Sequence, residues 1–167
     1  MSELDHYRSQ KDEFFGSNPQ SPFTPEQQKE FTGINYFPEN TDLVLALEID
    51  EFEVKQPVEI QTTTGDLRTF DRFGKIHFEV EGEQVSLTVY ATPHGYFIPF
   101  VDNQAGKETY GAGRYIDPEE LPDGKILVDF NLAYNPYCAY NEAYSCPLPP
   151  AENRIPVAIQ AGEKNYK

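Results

Sequence analysis

From Leu43 onward apolar residues recur at every second position, and this period of two constrains the fold more than any other feature of the chain. Over residues 75–80, Ile76, Phe78 and Val80 alternate with Lys75, His77 and Glu79; over 85–91, Val85, Leu87 and Val89 alternate with Ser86 and Thr88. Successive side chains of a strand point to opposite faces, so each segment reads as a strand with one dry and one wet face. Glu81-Gly82-Glu83 lies between them where a hairpin turn belongs, which predicts an antiparallel pair. The same reading places strands at 43–49, 58–63, 67–71, 96–100, 125–130 and 154–160, with a further turn at Gly65-Asp66. The 14 Pro and 11 Gly cut the sequence into short segments, a pattern that suits a barrel or sandwich better than a helical bundle.

The first 35 residues read differently. Ser2 caps a helix over 2–15 whose first turn carries acids and whose Leu4, Tyr7, Lys11 and Phe14–Phe15 share one side. Thr24-Pro25-Glu26-Gln27 marks a second, short helix start: Thr24 caps, Pro25 takes the first helical position and Gln27 completes a capping box. The expected architecture is mainly β, α+β at the margin: a small β-barrel or strongly bent antiparallel sheet with one or two short N-terminal helices. A single domain is expected over 1–167, with a helical segment at 1–35 packed on a β body at 42–167; a chain of this length buries a sizeable core without disulfide or metal staples.

Charge narrows the function classes. Against 28 Asp and Glu stand 13 Lys and Arg, a net of −15, and the basic residues are scattered. Such a field opposes phosphate backbones and anionic lipid headgroups, so neither nucleic acid nor membrane is an expected partner. Adaptation to high salt also yields acidic chains; here Glu outnumbers Asp and Lys outnumbers Arg. The polar N-terminus and the absence of a long apolar run predict a soluble, cytoplasmic protein. Cys138 and Cys146 are then expected as free thiols, ahead of a disulfide or a zinc site. No metal or cofactor is expected.

The usual catalytic and nucleotide-binding motifs do not occur, and Gly111-Ala112-Gly113 is better read as a turn than as a nucleotide cradle. His94, in Thr92-Pro93-His94-Gly95, reads first as part of a turn between strands; its second reading is a general base at a strand end. The densest polar group is C-terminal. Asp129 interrupts the apolar run Ile126-Leu127-Val128, and a buried carboxylate needs a partner. Arg114 is the cation nominated for it, either as a structural ion pair or with its guanidinium turned to a cleft. Around them Tyr115, Asn131, Tyr134, Asn135 and Tyr140 are candidate ligand-binding residues. The pocket is expected between the 92–115 segment and the 129–153 loop, as a site for a small, anionic molecule. The alternatives are a hydrolase using Asp129, His94 or Cys138, and a protein-interaction module presenting its Tyr-rich loop.

The stretch Gly106-Lys107-Glu108-Thr109-Tyr110-Gly111-Ala112-Gly113-Arg114-Tyr115 is also the start of a resemblance. It continues through Asp129-Phe130-Asn131-Leu132-Ala133-Tyr134-Asn135-Pro136, Cys138-Ala139-Tyr140, Cys146-Pro147-Leu148-Pro149-Pro150 and Glu152-Asn153-Arg154 to Ala161-Gly162-Glu163-Lys164. On these residues the chain resembles the bacterial and archaeal domain-of-unknown-function family 1684. The resemblance spans most of the chain and implies one domain; it brings no activity, substrate or catalytic residue.

Overall fold

A computed structural model describes residues 2–166. Helix α1 (Glu3–Ser17) starts at Ser2, whose hydroxyl accepts from Asp5 N–H while the Asp5 carboxylate accepts from the Ser2 N–H. Helix α2 (Pro25–Glu30) starts with the same reciprocal box between Thr24 and Gln27. Eight strands follow among the described residues: β1 (Val44–Leu47), β2 (Asp50–Gln61), β3 (Leu67–Val80), β4 (Glu83–Thr92), β5 (Gly95–Phe100), β6 (Arg114–Ile116), β7 (Glu119–Glu120) and β8 (Ile126–Asp129). They form a five-stranded sheet, β2-β3-β4-β5-β6, and a three-stranded sheet, β1-β8-β7, with antiparallel neighbours throughout. Neither sheet closes into a barrel, and the larger one is bent, so the mainly β expectation is met in its second form.

The β3–β4 pair is antiparallel as expected, with Ile76 opposite Leu87 and Phe78 opposite Val85. Its turn has positive φ at both Glu81 (50°) and Gly82 (85°), the backbone that matches the right-handed twist of a hairpin. The dry face of β3 and β4 joins Ile98, Phe100 and Ile116 from β5 and β6, Ile126 and Val128 from β8, and Ile155, Val157 and Ile159 from the tail. Ile76, Leu87, Val89, Ile98, Val128 and Ile159 are 0% exposed, and each contributes roughly 1.5–3 kcal/mol by leaving water. A second cluster joins the helices to the loop near residue 140: Phe15, Phe23, Ile34, Ala139 and Tyr140.

Segments 67–71 and 75–80, expected as two strands, are one strand bent in its middle. The register with β4 shifts between Arg72 and Gly74, and that between β2 and β3 shifts between Glu51 and Gln56. Such bulges bend a ribbon and increase its twist. At the bend Gly74 lies so close to β2 that a Cβ there would sit 2.6 Å from Asp50 O and from Ile49 Cγ2. Only glycine admits that approach.

Residues 154–160 are a correction: they were expected as a strand and form none. Pro156 lacks an N–H, and only one parallel bridge, Val101 with Arg154, joins the segment to a strand. Backbone hydrogen bonds from Ile155 N to Val101 O (2.9 Å) and from Asn103 N to Val157 O (3.0 Å) tie it to the 101–103 segment, and side chains take further groups. Asn103 donates to Pro156 O at 3.0 Å, Ile159 N–H donates to Asp102 at 2.9 Å, and Arg114 donates to Ile159 O at 2.8 Å.

Just before this segment, Asn153 closes a gap between β4 and β5. These strands pair only from Tyr90 and Phe97 to the turn. Beyond that point the Asn153 amide substitutes for a neighbouring strand, accepting from Thr88 N at 2.8 Å and donating to Thr88 O at 3.0 Å and Pro99 O at 2.8 Å. Asn153 is 0% exposed, so Asn153→Ala leaves these buried groups unpaired and should cost about 3 kcal/mol in urea unfolding.

The adjoining Glu152 takes a bidentate grip from Arg72 of β3, with Nη2–Oε1 at 2.7 Å, and a hydrogen bond from the Tyr90 hydroxyl. Partial burial pushes its carboxyl up, but Arg72 and Tyr90 prevail and hold it at about 2 against an ordinary 4.5. A carboxyl lowered on folding stabilises the fold above its unfolded value and loses that contribution as pH falls through its folded value. Stability should therefore fall between pH 4.5 and about 2, and Glu152→Gln should flatten that slope in urea titrations repeated across the window.

Candidate functional site

The Arg114 side chain is delivered by a tight turn. Gly113 has φ +95°, and a Cβ there would meet Phe100 O at 2.6 Å, so the chain enters β6 pressed against the end of β5. The guanidinium is 1% exposed. It donates to Ala161 O (2.5 Å) and Glu163 O (3.1 Å) through Nη1, and to Ile159 O (2.8 Å) and Asp102 Oδ2 (3.5 Å) through Nη2. The Phe100 ring lies 5.2 Å from its centre. Burial pulls it down to about 10, opposed by Asp102 and Glu163, so it stays charged at neutral pH.

The acid beside Arg114 is thus Asp102, not Asp129, and the predicted pair is corrected. Asp129 ends β8 half-buried and caps the short 3-10 helix Phe130–Leu132, accepting from Asn131 N (2.9 Å) and Nδ2 (3.0 Å). Local donors satisfy it, so no remote cation is required. Asp102 is the deeply buried carboxylate: 5% exposed, it accepts from Thr109 Oγ1 (2.8 Å) and Ile159 N–H as well as from Arg114.

A second buried carboxylate extends this network. Glu163 Oε1 accepts from Asn135 N (3.0 Å) and the Tyr140 hydroxyl (2.5 Å), while Oε2 pairs with Lys11 of α1. Asn135 Nδ2 donates to Lys164 O (3.0 Å) and to Tyr140 Oη (3.1 Å). Asn131 exchanges hydrogen bonds with the backbone of Asn40 at 2.8 and 2.9 Å. Arg114, Asn131, Asn135 and Tyr140 are therefore engaged within the fold, and none of them lines the main groove.

That groove lies between the expected segments, with a volume of about 640 Å³. Tyr115 and Tyr134 line it, as does His94 at the turn; the other walls come from β3 (Arg68, Phe70), β5 (Tyr96, Phe97), Asp117 and the loop bearing Pro136, Tyr137, Tyr144, Ser145, Cys146 and Pro147. Phe70 stacks on Phe97 at 5.3 Å, Phe97 meets Tyr115 edge-on at 4.8 Å, and Tyr115 meets Tyr134 at 5.7 Å, so the rings form one continuous wall. Tyr115 and Tyr134 also exchange backbone hydrogen bonds at 2.8 and 3.0 Å. Their hydroxyls donate to Pro147 O and, at 2.7 Å, to Asp117 Oδ2. Burial pushes both phenols up, so they remain neutral donors. The opposite rim is anchored where Thr63 N donates to Cys146 O (3.0 Å), Leu148 N donates to Gln61 O (2.8 Å) and Arg68 donates to Ser145 O.

Arg68 and Phe70 were not singled out in the sequence; their signal was a cation two positions from an aromatic at the tip of a hairpin. The candidate catalytic residues stay apart. His94 is exposed in the β4–β5 turn, where its N–H donates to Thr92 Oγ1 at 3.0 Å, and among the described residues its imidazole makes no hydrogen bond to Cys138 or Asp129. Cys138 is 6% exposed and lies outside the groove wall, which Cys146 supplies instead. Both cysteines are free thiols. No group of three metal-ligating side chains occurs among the described residues, and no described helix is long and apolar enough to cross a membrane.

Residues 29–164 match the model of a family described as "Protein of unknown function (DUF1684)". An uncharacterized protein of Haloarcula marismortui, solved in solution by NMR, is 34% identical to the chain with a TM-score of 0.71, the match covering 96% of this chain and 91% of that one. No curated protein matches the chain.

Removing either partner of the Arg114–Asp102 pair leaves the other charge buried and uncompensated. Arg114→Ala and Asp102→Ala should each destabilise by about 3–5 kcal/mol. Asp129→Ala, which removes only a cap, should cost about 1 kcal/mol. Urea unfolding of the three variants separates these values.

Proposed function

Because the chain belongs to the DUF1684 family of proteins of unknown function, we propose its role from the groove itself: it binds a small molecule with a planar apolar body and at most one negative charge. The observation that carries this reading is the continuous wall Phe70-Phe97-Tyr115-Tyr134 along a concavity of about 640 Å³. That volume is within the range of small-molecule sites, and aromatic faces supply contact area at low entropic cost. The few polar groups give orientation. Arg68 offers the cation that Arg114, sealed in the fold, does not, and Asp117 and Ser145 add acceptors at the rim. The net charge of −15 opposes multiply charged anions, which limits the ligand to neutral or singly charged species.

The test is fluorescence titration of the full chain with a naphthalene monosulfonate dye. Saturable binding is expected, with Tyr144→Ala and Arg68→Glu each weakening it by about tenfold, or roughly 1.4 kcal/mol. Tyr144 is only half-buried and Arg68 is exposed, so each variant should stay folded with a loss of about 1 kcal/mol or less, the Arg68–Ser145 hydrogen bond included. Binding that neither substitution changes would place the dye elsewhere and remove the reading. Saturation by a protein partner that blocks the dye would instead favour an interaction module.

A further inference from the structure

Cys146 lines the aromatic groove, and its backbone is held on both sides by Thr63: Thr63 N donates to Cys146 O at 3.0 Å, and Cys146 N donates to Thr63 Oγ1 at 3.2 Å. Its sulfur accepts the Cys138 N–H at 3.4 Å, so it rests against the Cys138 backbone. On the other side of Cys138, the Tyr110 hydroxyl lies 3.6 Å from the sulfur. Two free thiols of one loop are thus fixed beside each other at the edge of a solvent-reaching concavity. We propose that Cys138 and Cys146 are a dithiol redox site that a neutral hydroperoxide closes to an intramolecular disulfide.

The surroundings divide the roles. The Cys146 S–H, opposed by burial and helped by the Tyr110 hydroxyl, holds the Cys138 thiol below its ordinary value, and the same contact pushes Cys146 up. The first proton therefore leaves from Cys138. Its thiolate attacks one oxygen of the hydroperoxide, the O–O bond breaks, and the other oxygen leaves as the alcohol, or as water from hydrogen peroxide, after taking a proton from solvent. Cys138 is then a sulfenic acid. Cys146 loses its proton, its sulfur attacks that of Cys138, and the S–O bond breaks to release water. In total two thiols are oxidised, one hydroperoxide is reduced, and the two thiol protons end in the products. A hydroperoxide suits the site for two reasons. It is small enough to approach two cysteines that are each 6% exposed, and, unlike an anionic disulfide, it carries no charge for a body of net −15 to repel. This inference does not depend on any ligand in the groove.

The wild-type full chain is reduced, treated with excess hydrogen peroxide while folded, then unfolded, alkylated with a maleimide and analysed by mass spectrometry. Alkylatable thiols should fall from two to none with no linkage between chains and a Cys138–Cys146 linkage in the peptide map. Two thiols that survive, a linkage between chains, or oxidation that stops at a sulfinic acid would each overturn the proposal. Cys146→Ser, with no resolving thiol, should accumulate a sulfenic acid on Cys138 that a cyclic dione traps, whereas Cys138→Ser should give no comparable adduct. An adduct on Cys146 at an equal rate would overturn the assignment of roles. If either variant fails to fold, the wild-type rate of thiol loss decides it: its pH midpoint should lie below that of a free thiol, and a midpoint at or above that value counts against a Cys138 thiolate.

Discussion

A single buried guanidinium holds the C-terminal tail in place, and much of the polar interior follows from it. The Arg114 side chain leaves water completely and is compensated by one carboxylate and three carbonyl oxygens of residues 159–163. Burying a charge is unfavourable unless its donors are met, so the tail cannot leave without stranding the cation. Because the tail is fixed, Glu163 is fixed, and through it Lys11 of α1, Asn135 and Tyr140. The helices and the loop that walls the groove are therefore positioned in series from one charge, with the aromatic cluster around Phe15 and Phe23 filling the space between them.

The parts of the fold legible in the sequence are those whose partners are close in the chain. Both helix N-caps, the Glu81-Gly82 turn and the alternation in β3 and β4 depend on neighbours a few residues away or directly across a hairpin. The tail was misread because its apolar pattern is that of a strand while its hydrogen bonds go to Asp102, Asn103 and Arg114, more than 40 residues distant. The nomination of Asp129 as the partner of Arg114 failed for a related reason. Both acids follow an apolar strand, and only the three-dimensional path decides which one meets local N–H donors and which one faces a cation.

The groove was legible by location and by two of its residues, Tyr115 and Tyr134, but not by its polar chemistry. Asn131, Asn135 and Tyr140 look like ligand-binding groups in the sequence; in the structure they satisfy a long loop that has little regular backbone pairing of its own. Groups that such a loop spends on its own backbone are not free for a ligand. Arg68 also donates to that loop, at Ser145 O, but does so from the exposed end of a strand paired with β2.

The kink at Gly74 has a mechanical consequence. The β2–β3 ribbon has its core-facing half, with Ile76 and Phe78, on one side of the bend and its distal half, with Arg68 and Phe70, on the other. The distal half is hydrogen-bonded to the loop around Cys146, and its Phe70 stacks on Phe97 of β5, so it supplies part of the continuous groove wall. Where that wall stands is set by the ribbon's curvature, which a missing side chain at residue 74 permits, as much as by the rings that line it. The position of Arg68 and Phe70 in the groove thus traces back to a glycine that does not itself line it.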